Sequence, residues 1–167
     1  MSTKANAIVY VSNTGHTERY AKILAEKTGL IAYEFSEAKK KLSKGESVIF
    51  MGWLFASNVK GYSKAKGKFD IKAVCVVGLC PTGELLDEVR KAIKLHTLTP
   101  LFTLQGGMDY DKLRGINKFM IDMLTKSISS KKEKTEKDVA MLELLTTSGD
   151  FVSENNLENV INWWNME

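Results

Sequence analysis

Three hydroxyl side chains stand close together in the run Ser12-Asn13-Thr14-Gly15-His16-Thr17, directly after the apolar stretch 7–11. A helix is expected over 17–30, so these residues lie at its start, where backbone N–H groups lack partners and the helix end carries partial positive charge. Ser12, Thr14 and Thr17 can donate to phosphate oxygens, and Gly15 lets the backbone approach closely. The run holds no Lys or Arg. A triphosphate loop would carry Gly-Lys-Ser or Gly-Lys-Thr, so the better match is a monophosphate held by neutral donors. A Ser/Thr-rich turn can also be a plain helix cap. Its place after the first strand of a strand–helix alternation favours the phosphate, because such folds bind ligands at the carboxyl ends of their strands.

Other reactive side chains are few. Cys75 and Cys80 form no disulfide framework, and with only His16 and His96 as imidazoles no metal site is expected. Cys80 precedes a helix start, which can activate a thiol, but no resolving cysteine lies near it except Cys75 within a strand, so it reads as a packing residue. His16 reads as a donor through its backbone N–H. No residue can be named as catalytic.

The elements that must position the loop follow from periodicity. Short β-branched runs at 7–11, 31–35, 48–51, 73–77 and 101–104 read as five strands, the second an edge and the third ended by Gly52. Helices are expected over 17–30, 83–96 and 157–164, with Asn155 or Asn156 near the cap of the last and a short helix or loop at Lys39-Lys40-Lys41. Residues 53–69 read as a long loop with at most a short helix. Beyond the fifth strand a helix is expected over 110–127, with Leu113, Ile116, Met120, Met123 and Leu124 on one face. That stripe suits ordinary core or an apolar substrate or quinone site. Residues 129–138, dense in Lys, Glu and Ser, read as an exposed excursion. The alternation predicts an α/β fold, a three-layer doubly wound sandwich on a five-stranded parallel sheet.

At 167 residues, 44% hydrophobic and 26% charged, the chain suits one domain, 1–167, with a helical excursion at about 109–150 before the final helix. No apolar run is long enough to cross a membrane. Residues 1–7 lack the pattern of a secretion signal, so a cytoplasmic protein is expected. The formal charge of +4 permits an anionic partner, and no nucleic-acid partner is expected.

The run 12–17 resembles the Ser/Thr-X-Thr-Gly-X-Thr phosphate loop of flavodoxins, and the element order resembles theirs over most of the chain. The resemblance implies strand order 2-1-3-4-5 with FMN at the switch point, an arrangement long associated with the family. It assigns Ser12, Asn13, Thr14, Gly15, His16 and Thr17 to the 5′-phosphate. The loop after strand three would cover one face of the flavin ring through Trp53, Leu54, Phe55, Ala56 and Ser57. Trp53 suits that role and helix packing about equally, and Phe55 or the backbone of Ala56 and Ser57 could make the contact instead. The loop after strand four, with Gly78, Leu79, Cys80 and Gly83, would supply the other wall, but it lacks the usual aromatic residue. One ring face would then stand open to a substrate.

Residues 105–124 are similar to the segment after the last strand in flavodoxin-like protoporphyrinogen dehydrogenases, with fewer Arg and aromatic residues and with Asp109 and Asp111 added. A receiver domain, a low-molecular-weight tyrosine phosphatase and a dinucleotide-binding fold are excluded. The first lacks its acidic cluster, the second its Cys-x5-Arg, and the third its Gly-x-Gly-x-x-Gly. Two functions follow: an FMN-dependent electron carrier docking on a redox partner protein, or an FMN-dependent dehydrogenase that oxidises a small organic substrate and passes electrons to a quinone. Lys60, Lys64, Lys66, Lys68 and Lys72 follow the ring-wall loop. They suit a solvated face, or steering of an acidic partner, a carboxylate-bearing substrate or an anionic lipid surface in peripheral membrane contact.

Overall fold

The structure, a computed structural model, describes residues 4–167; the first three residues of the polar N-terminal stretch lie outside it. The chain runs β1 (Ala7–Tyr10), α1 (His16–Thr28), β2 (Ile31–Glu34), α2 (Phe35–Lys41), β3 (Ser47–Phe55), β4 (Asn58–Val59), α3 (Tyr62–Lys66) and β5 (Asp70–Gly78). It continues through α4 (Leu86–Ala92), β6 (Leu101–Gln105), β7 (Gly107–Met108), α5 (Gly115–Ser129), α6 (Glu136–Thr146), β8 (Gly149–Asp150) and α7 (Glu158–Met166). Five strands pair in parallel in the order β2-β1-β3-β5-β6, and β4 adds antiparallel to the end of β3. Apart from that hairpin strand, the order is the expected 2-1-3-4-5.

Alternation along the inner strands builds the two cores. Ile8, Ile49, Met51, Cys75 and Leu104 face Tyr20, Ala21 and Leu24 of α1 and Leu157 and Val160 by α7. Val9, Val48, Phe50, Val74 and Val76 face Ala38 of α2, Tyr62 and Ala65 of α3, and Val89 of α4. Such strands are covered on both sides, as runs rich in Val and Ile require. Each large side chain buried there contributes roughly 1.5–3 kcal/mol.

Several elements differ from their sequence expectations. Gly52 does not end the third strand. Its missing side chain lets β3 continue past the turn after β4, because a Cβ there would lie 2.6 Å from the Lys60 carbonyl oxygen. Residues 53–69 therefore hold the end of β3, β4 and α3 instead of a long loop. The helix expected over 83–96 shrinks to α4. Gly83 N–H donates to the Thr103 carbonyl at 3.1 Å and to its Oγ1 at 3.0 Å, and Thr103 Oγ1 donates to the Glu84 carbonyl at 2.7 Å, so 83–84 are tied to β6. At the other end Lys94 is left-handed, and Arg90 Nη1 donates to the carbonyls of His96 at 2.7 Å and Thr99 at 3.0 Å.

The helix expected over 110–127 breaks. A 3-10 turn covers Tyr110–Lys112, Leu113 and Arg114 are extended, and α5 starts at Gly115. That restart sets its phase. Ile121 and Ile128 point inward with Leu113, Met108 and Leu145 of α6, while Ile116, Met120, Met123 and Leu124 turn outward. Residues 129–138 lead into α6, whose first turn carries a capping box between Thr135 and Asp138. β7 and β8 pair across the base of this helical excursion, with Gly107 opposite Asp150 and Met108 opposite Gly149.

At the final helix the cap is Ser153, which accepts from Asn155 N–H at the start of a 3-10 turn. Asn156 works elsewhere. Its Nδ2 donates to the Tyr20 hydroxyl at 2.7 Å and the Phe151 carbonyl at 3.0 Å, and that hydroxyl donates to the Gln105 carbonyl. This buried hub ties α1, β6 and the chain before α7. Tyr20→Phe removes it without opening a large cavity, and chemical denaturation should show a loss of about 1–2 kcal/mol, the cost of orphaned buried polar groups.

Candidate functional site

β1 leaves the sheet after Val11 N–H donates to the Met51 carbonyl at 2.9 Å. Residues 12–15 then turn into α1 at the carboxyl edge of the sheet. Gly15 makes this possible by taking φ 102° at the N-cap, where an L side chain would be strained. The helix ladder begins with Arg19 N–H on the Gly15 carbonyl, and Glu18 N–H donates to Ser12 Oγ at 3.3 Å. The N–H groups of Asn13, Thr14, Gly15, His16 and Thr17 have no acceptor among the described residues. They form a concave donor set at the positive end of a 13-residue helix, the arrangement that binds an anion.

The side chains add neutral donors. Thr14 Oγ1 lies 3.0 Å from His16 Nδ1, and Thr17 is buried. The nearest cations are engaged: Arg19 pairs with Asp150 at 2.5 Å and Lys22 with Glu18 at 2.7 Å. Charge complementarity at the loop therefore rests on N–H groups and the helix end.

Beside the loop lies a cleft. Trp53, Leu54 and Phe55 form one side, Val77, Gly78 and Leu79 the floor, and Gly107, Met108, Leu113, Asn117 and Ile121 the far side. Trp53 packs edge-on against Phe55, with ring centroids 5.8 Å apart. Lys60 Nζ sits 5.7 Å and 5.4 Å from those two rings, a pair of cation–π contacts bordering the neighbouring hollow. The floor is pinned: Gly106 N–H donates to the Gly78 carbonyl at 2.8 Å and Gln105 Nε2 to the Leu79 carbonyl at 3.0 Å.

The structure thus brings Ser12, Asn13, Thr14, His16, Thr17, Trp53, Leu54, Phe55, Gly78 and Leu79 around one space. Gly15 borders an adjoining hollow with Arg19 and Asp150. Ala56 and Ser57, both left-handed with φ 48° and 65°, form the exposed two-residue turn between β3 and β4, beyond the cleft. Cys80 lies over Pro81 and Leu85 on the α4 side, and Gly83 lies by Thr103 and Asn156. Of the Lys run, Lys60 and Lys64 border a hollow beside Trp53, whereas Lys68 and Lys72 lie at the start of β5, away from the strand ends. Met108, Asn117 and Ile121 were not readable as cleft residues from the sequence. The i,i+4 spacing of Asn117 and Ile121 puts them on one face of α5, but only the restart at Gly115 turns that face to the cleft.

The thiols are not activated. Burial pushes Cys75 up to about 12, and burial with the Glu84 carboxylate raises Cys80. His16 shifts the other way. Burial against the chain at Gly106 lowers its pKa, opposed by the Asp150 carboxylate. The folded protein then binds fewer protons than the unfolded chain as pH falls below the ordinary value of 6.5, so stability drops there and levels off below the folded pKa. A proton-NMR titration should give His16 a midpoint under 6.5. A midpoint at or above that value would place the ring in solvent or beside a dominant carboxylate.

A family model described as a flavodoxin domain matches residues 7–138, from β1 into the first turn of α6. No curated protein and no solved structure matches the chain. The family match covers most of the sequence and takes in all five parallel strands, the turn into α1 and most of the cleft lining. Its members typically bind a flavin, and a donor-rich turn beside an aromatic-walled cleft is the geometry such a ligand needs. On that match and that geometry, the chain belongs to the flavodoxin domain family.

Proposed function

We propose that the chain binds FMN, with the phosphate in the 12–17 turn and the ring in the adjoining cleft, and that it transfers electrons through that flavin. The observation that carries this reading is the unpartnered N–H set at Asn13–Thr17, flanked by three hydroxyls and free of Lys and Arg. A singly esterified phosphate fits a neutral donor cradle, and the apolar, aromatic cleft beside it fits a planar ring. FMN supplies reversible one- and two-electron transfer. The chain's own residues bind and orient it, exclude water along Leu54, Met108 and Ile121, and hold the Lys60 charge against the Trp53 and Phe55 rings. Cys75 and Cys80 are unpaired thiols, which fits a cytoplasmic setting.

A second reading is an FMN-dependent dehydrogenase of the protoporphyrinogen-oxidising type that passes electrons to a quinone. It is favoured by Leu113, Asn117 and Ile121, through which the helical excursion enters the cleft wall. In the first reading the partner is a redox protein; in the second it is an organic substrate and a quinone. Stopped-flow mixing of the FMN-loaded protein separates them. Substrate-dependent turnover with a quinone marks the enzyme, and electron exchange with a partner protein alone marks the carrier.

Titration with FMN, followed by flavin absorbance, tests the shared core of both readings; an unchanged flavin spectrum overturns it. Thr14→Val and Thr17→Val should each weaken binding about 10- to 100-fold, the effect of losing one hydrogen bond to a charged group. The cleft itself encloses about 80 Å³, but it opens on hollows of about 470 Å³ past Thr14, His16 and Met108 and about 540 Å³ past Ser12, Asn13 and Trp53, which together give a ligand of this class room along the sheet edge. Bound there, the ring would lie against Asn117 and Ile121 of α5. Hydrogen exchange should slow over residues 113–128 when FMN is added, and identical exchange with and without FMN would show that the helix does not border the bound flavin.

A further inference from the structure

The net charge of the protein is concentrated on one side of the sheet. Residues 34–72 carry nine Lys against Glu34, Glu37, Glu46 and Asp70, a surplus of five, while the whole chain carries +4, so the remainder sums to −1. Two Lys clusters, 39–44 and 60–68, lie apart in sequence, and packing brings them to the same face. Ala38 of α2 and Tyr62 and Ala65 of α3 enter one core, and the Phe35 and Phe69 rings meet edge-on with centroids 6.4 Å apart. Among the described residues only Lys41 and Lys72 of the nine pair with a carboxylate, Glu37 at 3.1 Å and Asp70 at 2.7 Å.

This surplus reaches the candidate site at one place. A hollow of about 540 Å³ is lined by Ser12, Asn13, Phe35, Trp53, Lys60 and Lys64, and Trp53 is also a wall of the cleft. Lys39 Nζ sits 5.2 Å from the Phe35 ring, and Lys60 Nζ 5.7 Å from the Trp53 ring. Three ammonium groups therefore border the hollow. The carboxylate that lines it, Glu34, is committed to capping α2, where it accepts from Ser36 N–H at 2.7 Å.

The chemistry of this face selects its partner. Specific phosphate and nucleic-acid recognition favours the planar Arg fork, and residues 34–72 contain no Arg. Insertion at a bilayer surface needs an exposed apolar ridge, and none of the large apolar side chains exposed among the described residues lies in 34–72. Lys is a hydrated point charge on a flexible stem, suited to steering an anionic partner into a short-lived contact. Electron-transfer pairs use small interfaces of that kind, in which charge sets the on-rate more than the affinity. We propose that the rim of Lys39, Lys60 and Lys64 docks an acidic iron–sulfur protein beside Trp53, a step that rests on the flavin reading above. Each encounter moves one electron from the partner's iron–sulfur centre to the flavin, and two encounters with two protons from solvent complete its reduction.

Stopped-flow mixing of the FMN-loaded chain with a reduced acidic ferredoxin tests this, with methyl viologen radical cation as the contrasting reductant. Flavin reduction by the ferredoxin should slow about tenfold or more between roughly 50 and 500 mM salt, whereas reduction by the viologen cation should not slow. Lys39→Gln with Lys64→Gln should slow the ferredoxin reaction about tenfold at low salt. Lys126→Gln with Lys132→Gln removes the same charge from the helical excursion and should change that rate by less than about twofold. The proposal is overturned by a ferredoxin rate that salt does not lower, or by two double variants that slow it equally. It is also overturned if anionic vesicles or duplex DNA displace the ferredoxin from the wild-type chain and lose their hold on the Lys39 and Lys64 variant. Calorimetry of ferredoxin binding to the chain without FMN reads the docking face alone, and flavin absorbance reads cofactor loading, so failure of the face and failure of the flavin site are separate results.

Discussion

Burial of both faces of the central strands is the constraint from which the rest of the architecture follows. Val48, Ile49, Phe50 and Met51 are fully buried, with neighbours above and below the sheet. An N–H or C=O without a partner there would cost about as much as a lost hydrogen bond, so these strands must pair along their length. Parallel pairing needs a crossover after each strand, and the crossovers bring the ends of β1, β3, β5 and β6 to one edge. The donor-rich turn and the cleft lie at that edge, where the crossovers leave the strand ends and α5 supplies the far wall.

Within this frame, two close approaches shape the site. The Tyr20 hydroxyl, Asn156 and the Gln105 carbonyl lock α1 against β6, which holds the start of α1 and its unpaired N–H groups in place. The absence of a side chain at Gly52 lets the Lys60 carbonyl pass β3 closely. Without that passage the β3–β4 hairpin could not form, and Trp53, Phe55 and Lys60 would not meet. Both are packing requirements, and both set the geometry of a binding surface several residues away.

The helical excursion is held more lightly. Its core is small, made of Met108, Leu113, Ile121, Ile128 and Leu145, and two short paired strands close its base. Segments with few buried contacts open at low cost, so α5 is the least firmly held wall of the cleft. The same helix exposes the apolar ridge of Ile116, Phe119 and Met123, so one element joins the cleft wall and the solvent boundary.

The strand–helix alternation and the turn at 12–17 were legible in the sequence for local reasons, while the strand order followed only from the family resemblance. β-branched runs cannot alternate with amphipathic segments in many ways, and a Gly between hydroxyl residues after a strand has few uses. The continuation of β3 past Gly52 was not legible, since a glycine reads as a stop until the opposing Lys60 carbonyl is seen. Nor was the shortening of α4, because its apolar stripe is helical while the Thr103 side chain and backbone that unwind its start arrive from another strand. The stripe at Ile116, Met120, Met123 and Leu124 has helical spacing and reads as core, yet it faces outward. Spacing fixes which residues share a face; only packing against Leu145 and Met108 decides which face turns inward. Local chemistry thus determined the elements and the donor-rich turn, and long-range contacts decided where the strands end, which aromatic rings line the cleft and which face of α5 turns outward.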